Sequence, residues 1–243
     1  GLARLHETTR LDAWFAAIDR LDKHGVVLDP RQGTRRATSA ESRSVLDAYA
    51  SLLTQWDKEE LKGARDALHG LIQQTKTPQI RSLCYAGLLE SGVDPVVVWE
   101  LAAQRERGLA DLLDAGAWIP LPVRDVFWQR CVESQDFDAA DTAARVRFAR
   151  HVSGRDHEIF NYLVAQLHKT TAQSAQRNNI IAVLASRDVS NWPADAIQSL
   201  GEEFTQWYSA LSVKDRNSGA AKKLKQLIEQ IARRLPDSEK LVL

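Results

Sequence analysis

"TPQIRSLCYAGLLESGVDP", residues 77–95, holds two helix starts and one helix end within a short span. Pro78 suits the first turn of a helix, where its missing N–H removes no hydrogen bond. Ile80, Leu83, Cys84 and Leu88 then follow at spacings of three and four, the period of a helix face. Gly92 stands where a helix closes in the left-handed conformation, and Asp94-Pro95 restarts the chain as Thr77-Pro78 does. The stretch predicts short helices joined by tight turns.

The same grammar extends in both directions. Leu11, Trp14, Phe15, Ile18 and Leu21 mark one face of a helix ending near His24-Gly25, and the polar run "DPRQGTRRATS" separates it from the next. From Ser39, an N-cap candidate, a helix carries Val45, Tyr49, Leu52, Leu53 and Trp56, and a single further helix carries Leu61, Ala64, Leu68, Leu71 and Ile72. Similar units run over Val123–Val132, Ala139–Val152, Glu158–Leu167, Gln173–Leu184, Ala194–Leu211 and Ala220–Leu235. No convincing stretch alternates strictly between apolar and polar residues, so the chain reads as all-α.

Helix pairs recur at about 35 to 45 residues, the period of HEAT and armadillo repeats. One pair buries only one face, so neighbours must stack to make a continuous core. The expected fold is therefore a HEAT/armadillo-like α-α superhelix, a right-handed solenoid of about five or six helix pairs, forming one domain over residues 1–243. A compact irregular helical bundle is the competing architecture. Trp14, Tyr49, Leu68, Leu83, Leu88, Leu163, Leu184, Phe204, Leu227 and Ile231 are the expected interior.

Composition narrows the function classes. Lys plus Arg and Asp plus Glu both total 32 in 243 residues, so no overall positive field favours a polyanion. No apolar run approaches the ~18 residues that span a bilayer. Cys84 and Cys131 form neither a CxxC pair nor a CxxCH haem attachment and read as small buried hydrophobes. No methionine occurs, position 1 included, and the chain is expected to be a piece of something longer.

Motifs that carry chemistry are sparse. His6-Glu7 and His157-Glu158 lack the second histidine of a zinc-binding HExxH. Asp136, Asp138 and Asp141 lack the glycine and distal glutamate of a calcium loop and suit a helix N-terminus. Arg31, Arg35 and Arg36 in one cluster, and Lys222, Lys223 and Lys225 in another, read as solvated faces. No glycine-rich nucleotide loop or serine-nucleophile pattern occurs. The reading assigns this chain no catalytic residue, metal or cofactor of its own.

The tryptophans remain. "LLDAGAWIPLPVRDVFWQRC", residues 112–131, places Trp118 between two helices and Trp128 one residue off the Val123–Phe127 face. A hydrophobic corner is the favoured reading and a partner pocket the other. Because tryptophan is enriched at binding hot spots when the core does not consume it, Trp118, Trp128, Trp192 and Trp207 are the candidate partner contacts. Trp118 is the first choice, since Trp192-Pro193 reads as a helix cap and Trp207 shares spacing with Phe204 and Leu211.

Four stretches taken together, "IRSLCYAGLLESGVDPVVVWE" (80–100), "LADLLDAGAWIPLPVRDVFW" (109–128), "SRDVSNWPADAIQSL" (186–200) and "SVKDRNSGAAKKLKQLIEQIARRLPDSE" (212–239), resemble the HEAT-like region of large exported bacterial proteins. Those proteins combine a sorbosone-dehydrogenase-like propeller, a c-type haem segment and sometimes a cupredoxin-like domain. The resemblance covers about two thirds of the chain, and residues 1–79 match only as generic helices. It implies a periplasmic or otherwise exported setting and a helical scaffold that docks neighbouring redox domains or another protein, with haem c held by those neighbours. The chain departs from the family in having no CxxCH, copper-ligand set or propeller, so no redox role passes to any residue. The alternative is a nucleic-acid-binding protein similar to HEAT-fold DNA glycosylases, against which the balanced charge counts.

Overall fold

The computed structural model describes residues 9–24, 39–133, 139–171 and 174–235. Among them every regular element is helical, with no strand. The helices are α1 (Arg10–His24), α2 (Ser39–Leu53), α3 (Lys58–Gly63), α4 (Arg65–Gln74), α5 (Pro78–Glu90), α6 (Pro95–Ala103), α7 (Gly108–Asp114) and α8 (Leu121–Glu133). They continue with α9 (Ala139–Phe148), α10 (Asp156–His168), α11 (Ala175–Leu184), α12 (Ala194–Ser209) and α13 (Gly219–Ala232), and three short 3-10 turns at Ala149–His151, Val189–Asn191 and Asp215–Asn217 join the later ones. The chain divides into two compact units, residues 1–144 and 145–243.

The first unit is organised around α5, the helix of the opening stretch. Every residue from Ile80 to Leu89 is buried, and α2, α3, α4, α6 and α7 all pack against it. A helix enclosed on all sides needs no polar face, which is why Tyr85, Ala86 and Leu89 join the predicted face in the interior. Its ends obey the predicted chemistry. Pro78 occupies the first turn, Gly92 closes the helix at φ +80°, and the Arg65 guanidinium donates to the Ser91 carbonyl and, at 3.1 Å, to its hydroxyl. Asp94 then caps α6 by accepting from the Val96 N–H at 2.7 Å.

Two polar side chains enter this interior with partners. The Arg81 Nε–H donates to Asp111 Oδ2 at 2.5 Å and its Nη1–H to the Thr75 carbonyl at 2.9 Å, while the Ser82 hydroxyl donates to the Asp111 carbonyl at 2.6 Å. Asp22 of α1 accepts from the hydroxyls of Thr75 and Thr77, both at 2.5 Å, fastening α1 to the α4–α5 turn.

Elsewhere the structure departs from the expected helices. The single helix predicted across Leu61–Ile72 is two, α3 and α4, meeting at Ala64, whose N–H bonds to the Leu61 and Lys62 carbonyls. Gly63 at the joint is a poor helix former, so little is lost by breaking there. Between α6 and α7, Arg107 adopts φ +59°, and a β-carbon on Gly108 would lie 2.2 Å from the Ala102 carbonyl oxygen. Only glycine permits that approach.

In the second unit α12 packs against α13, and α11 packs against both α10 and α13. Ile159, Phe160, Leu163, Ile180, Leu184, Phe204, Leu227, Ile228 and Ile231 fill the centre. Of the predicted interior across both units, every residue is buried except Tyr49, which is half-buried. The 3-10 turns are tied down by arginines. Arg187 pairs with Asp156 and donates to the carbonyls of Ala149 and Val152 at 2.8 and 3.1 Å, and Arg234 donates to the carbonyls of Val189 and Trp192.

Candidate docking site

The four tryptophans proposed as partner contacts separate cleanly. Trp128 is 0% and Trp192 2% exposed, so neither offers its ring to a partner, and that part of the expectation is corrected. The buried side of α8 is Phe127, Trp128 and Cys131, one position round from the Val123–Phe127 face, which is why Trp128 looked misplaced in sequence. Trp192 stacks on Phe160 with ring centroids 4.8 Å apart, anchoring the turn before α12.

Trp118 answers to the corner reading. It is half-buried, its indole N–H donates to Asp47 Oδ1 of α2 at 2.8 Å, and its backbone N–H donates to the Ala115 carbonyl at 2.7 Å. Neighbouring Ile119 is buried, and Arg124 ties the turn by donating to the Ile119 and Ala117 carbonyls at 2.8 and 3.2 Å. The stretch 112–131 is a stapled corner.

Trp207 lies differently. Half-buried on α12, it borders a cleft of about 290 Å³ in the second unit, between α11, the end of α12 and the start of α13. Its own helix positions it, because Phe204, one turn earlier, is fixed in the core and holds the Trp207 ring at a centroid distance of 5.4 Å. Over the other side lies Arg177, its guanidinium carbon 4.2 Å from the ring centroid. Arg177 is itself held: Nε–H donates to the Thr170 hydroxyl at 3.1 Å and Nη2–H to the Thr170 carbonyl at 2.9 Å. An arginine held over an aromatic ring by two hydrogen bonds loses little further entropy on binding. Among the described residues no carboxylate forms an ion pair with it.

The floor of the cleft is apolar, formed by Ile181, Ala221 and Leu224, all buried. Its far wall is the turn before α13. There Asp215 accepts from the Ser212 hydroxyl at 2.6 Å, turning its carboxylate back on its own turn, and Ser218 caps α13 by accepting from the Ala221 N–H at 3.2 Å. Lys214, Arg216, Lys222, Lys223 and Lys225, close in sequence to the lining residues Asp215, Ala221 and Leu224, are all exposed; Arg216 is held by the Ser209 carbonyl and the Tyr208 ring, Lys223 bonds Gln226 and Lys225 pairs with Glu229. Val213, just before Lys214, is 81% exposed.

Arg177, Lys214, Asp215, Arg216 and Ser218 were not singled out in sequence, and Lys222, Lys223 and Lys225 were read as a solvated face. The usable signal was adjacency: a five-cation, one-acid stretch beginning five residues after Trp207. What sequence does not show is that Arg177, thirty residues away, stacks on the ring. Asp141's side chain and the residues His6, Glu7, Arg31, Arg35, Arg36, Asp136 and Asp138 lie outside what is described, and His157 is an exposed residue in the first turn of α10. Among the described residues no three His, Cys, Asp or Glu side chains gather as metal ligands, and no helix is long and apolar enough to cross a membrane.

Comparison with protein-family models, curated proteins and solved structures finds no match.

Proposed function

We propose that this chain is a non-catalytic helical-repeat docking segment, and that its cleft at Trp207 receives a piece of another domain or protein. The observation that carries the reading is the Arg177–Trp207 stack above an apolar floor. Tryptophan and arginine are the residues most enriched in binding hot spots, and hot spots sit in apolar pockets ringed by polar groups. A half-buried ring held between Phe204 and Arg177 costs little to hold in place, and its exposed part gains contact area when a partner excludes water.

A HEAT-like, right-handed superhelical stack is the finer architecture of this proposal, supported by the packing of neighbouring helices such as α4 on α5, α10 on α11 and α12 on α13. The resemblance of residues 80–100, 109–128, 186–200 and 212–239 to the helical region of exported bacterial redox proteins supports the setting: a periplasmic parent whose haem c, dehydrogenase or cupredoxin-like domains are the neighbours being positioned. The chain supplies spacing and recognition, and the parent supplies any oxidoreductase chemistry.

Zero-length carbodiimide coupling of the full-length parent tests this. It joins lysine amines to carboxylates in direct contact, so Lys214 and Lys222, beside the lining residues Asp215 and Ala221 in sequence, should couple to residues outside 1–243 or to a partner subunit. Coupling confined to carboxylates within this chain would contradict the docking role. A parent reading frame encoding no export signal and no redox domain would contradict the setting alone.

A further inference from the structure

We infer that the cleft selects an acidic segment carrying one large apolar side chain, such as a phenylalanine or leucine flanked by aspartates or glutamates. This deepens the docking reading and rests on it. Two features specify the two halves of that ligand independently. The floor of Ile181, Ala221 and Leu224 and the wall of Trp207 offer nothing to a charged group and reward burial of an apolar one. A volume of about 290 Å³ admits one such side chain with part of its backbone.

The rim specifies charge. Exposed Lys214 and Lys222 stand next in sequence to the lining residues Asp215 and Ala221, Arg177 lines the cleft without a carboxylate partner among the described residues, and Asp215 is turned toward Ser212, whereas Arg216, Lys223 and Lys225 are drawn to Ser209 and Tyr208, Gln226 and Glu229. The whole chain is electrically balanced, so this local excess is a patch on a neutral background, which steers an anionic partner to one place. Val213, next to Lys214 in sequence, is an exposed apolar side chain.

Duplex nucleic acid and an anionic membrane share the preference for cations, but neither explains the cavity. A phosphate backbone presents no apolar side chain to fill it, and insertion into a bilayer would need exposed apolar bulk around the lysines where only Val213 is found. An acidic peptide uses both features at once.

The test is fluorescence-anisotropy titration of the intact chain with a labelled peptide of one phenylalanine flanked on each side by two aspartates. Three comparison peptides accompany it: phenylalanine replaced by alanine, aspartates replaced by asparagines, and aspartates replaced by lysines. The acidic phenylalanine peptide should bind, and the alanine version should lose about ten-fold or more in affinity. The asparagine version should lose about ten-fold at low salt, a gap that narrows as salt is raised. In the protein, Ala220→Phe fills the cleft while keeping every charge, and Lys214→Glu with Lys222→Glu reverses the rim while keeping the cavity. Each should weaken the acidic peptide about ten-fold in variants whose circular dichroism and melting match the parent.

Equal binding of the acidic, asparagine and lysine peptides, all blocked by Ala220→Phe, would overturn the acidic partner and leave docking at the cleft standing. Absence of binding by every peptide to the folded chain would overturn both. Retention on duplex DNA or on phosphatidylglycerol vesicles that is lost in the lysine-to-glutamate variant, with no peptide bound, would assign the patch to phosphate and overturn the inference.

Discussion

Arg81 and Asp111 form an ion pair at 2.5 Å with their side chains only 9% and 3% exposed, joining α5 to α7 across thirty residues of sequence. Burial pushes the Asp111 carboxyl above the usual carboxylate range even with Arg81 beside it. Desolvation therefore outweighs attraction, and the pair contributes register more than stability. Removing one partner and removing both should have opposite characters. Asp111→Ala strands a buried guanidinium and should cost about 3–5 kcal/mol, whereas Arg81→Met with Asp111→Leu should cost far less. Urea unfolding of the single and double variants checks this, and equal losses would show that the pair itself holds α5 to α7.

Alkaline stability follows from two neighbours on the same helix. Burial pushes the Cys84 thiol from 9.0 up to about 12, with Asp22 adding to it, and burial first and Asp111 second push the Tyr85 phenol from 10.0 up to about 12. Both groups hold their protons more tightly folded than unfolded. Their contribution is whole below about pH 9 and is lost as pH rises toward 12, because the unfolded chain ionises first. Stability should fall over that window, and Cys84→Ala should flatten part of the fall in pH-dependent melting curves. At pH 8 the native Cys84 should resist a thiol-specific reagent that labels it rapidly in denaturant.

Tyr85 offers a separate gain. Its hydroxyl is shut away from water and no described residue hydrogen-bonds it, a state that costs about 1–3 kcal/mol. Tyr85→Phe should melt at least as high as the parent at neutral pH. A clear loss of melting temperature would mean that the hydroxyl has a bonding role.

The turn before α7 gives opposite outcomes at adjacent positions. Gly108→Ala drives a methyl to within 2.2 Å of the Ala102 carbonyl oxygen and should destabilise by more than 1 kcal/mol. Arg107→Gly relieves the left-handed strain at φ +59° and should be neutral or stabilising by up to about 1 kcal/mol. Thermal melts of both variants decide the point.

The core should respond in both units. Leu83 and Phe204 are each 0% exposed, and truncation to alanine should cost about 2–5 kcal/mol at Leu83 and about 3–5 at Phe204. Because Phe204 also braces Trp207, its loss should weaken binding at the cleft, while Leu83→Ala, in the first unit, should leave binding by the folded fraction unchanged.

Helices were legible because their punctuation is local. Pro78, Gly92 and Asp94 each act through the next few residues, so reading them in order locates α5 and α6. The break at Ala64 was missed because Gly63 inside a periodic pattern signals only a weak helix, and no proline marks the joint. Trp128 was misplaced because a face read from spacing alone is uncertain by one residue, and one residue turns a helix by about 100°. The cleft was least legible. Trp207 was named, but its meaning depends on Arg177 arriving from another helix, and stacking between residues thirty apart is a property of packing that no local pattern records.

The docking claim is tested most directly by following the indole N–H resonances of the seven tryptophans while adding the aspartate-flanked phenylalanine peptide. The Trp207 resonance should shift progressively and saturate, and those of Trp128 and Trp192, sealed in the core, should hold still. Saturation of binding with Trp207 unmoved, or with shifts centred on Trp118, would contradict the account.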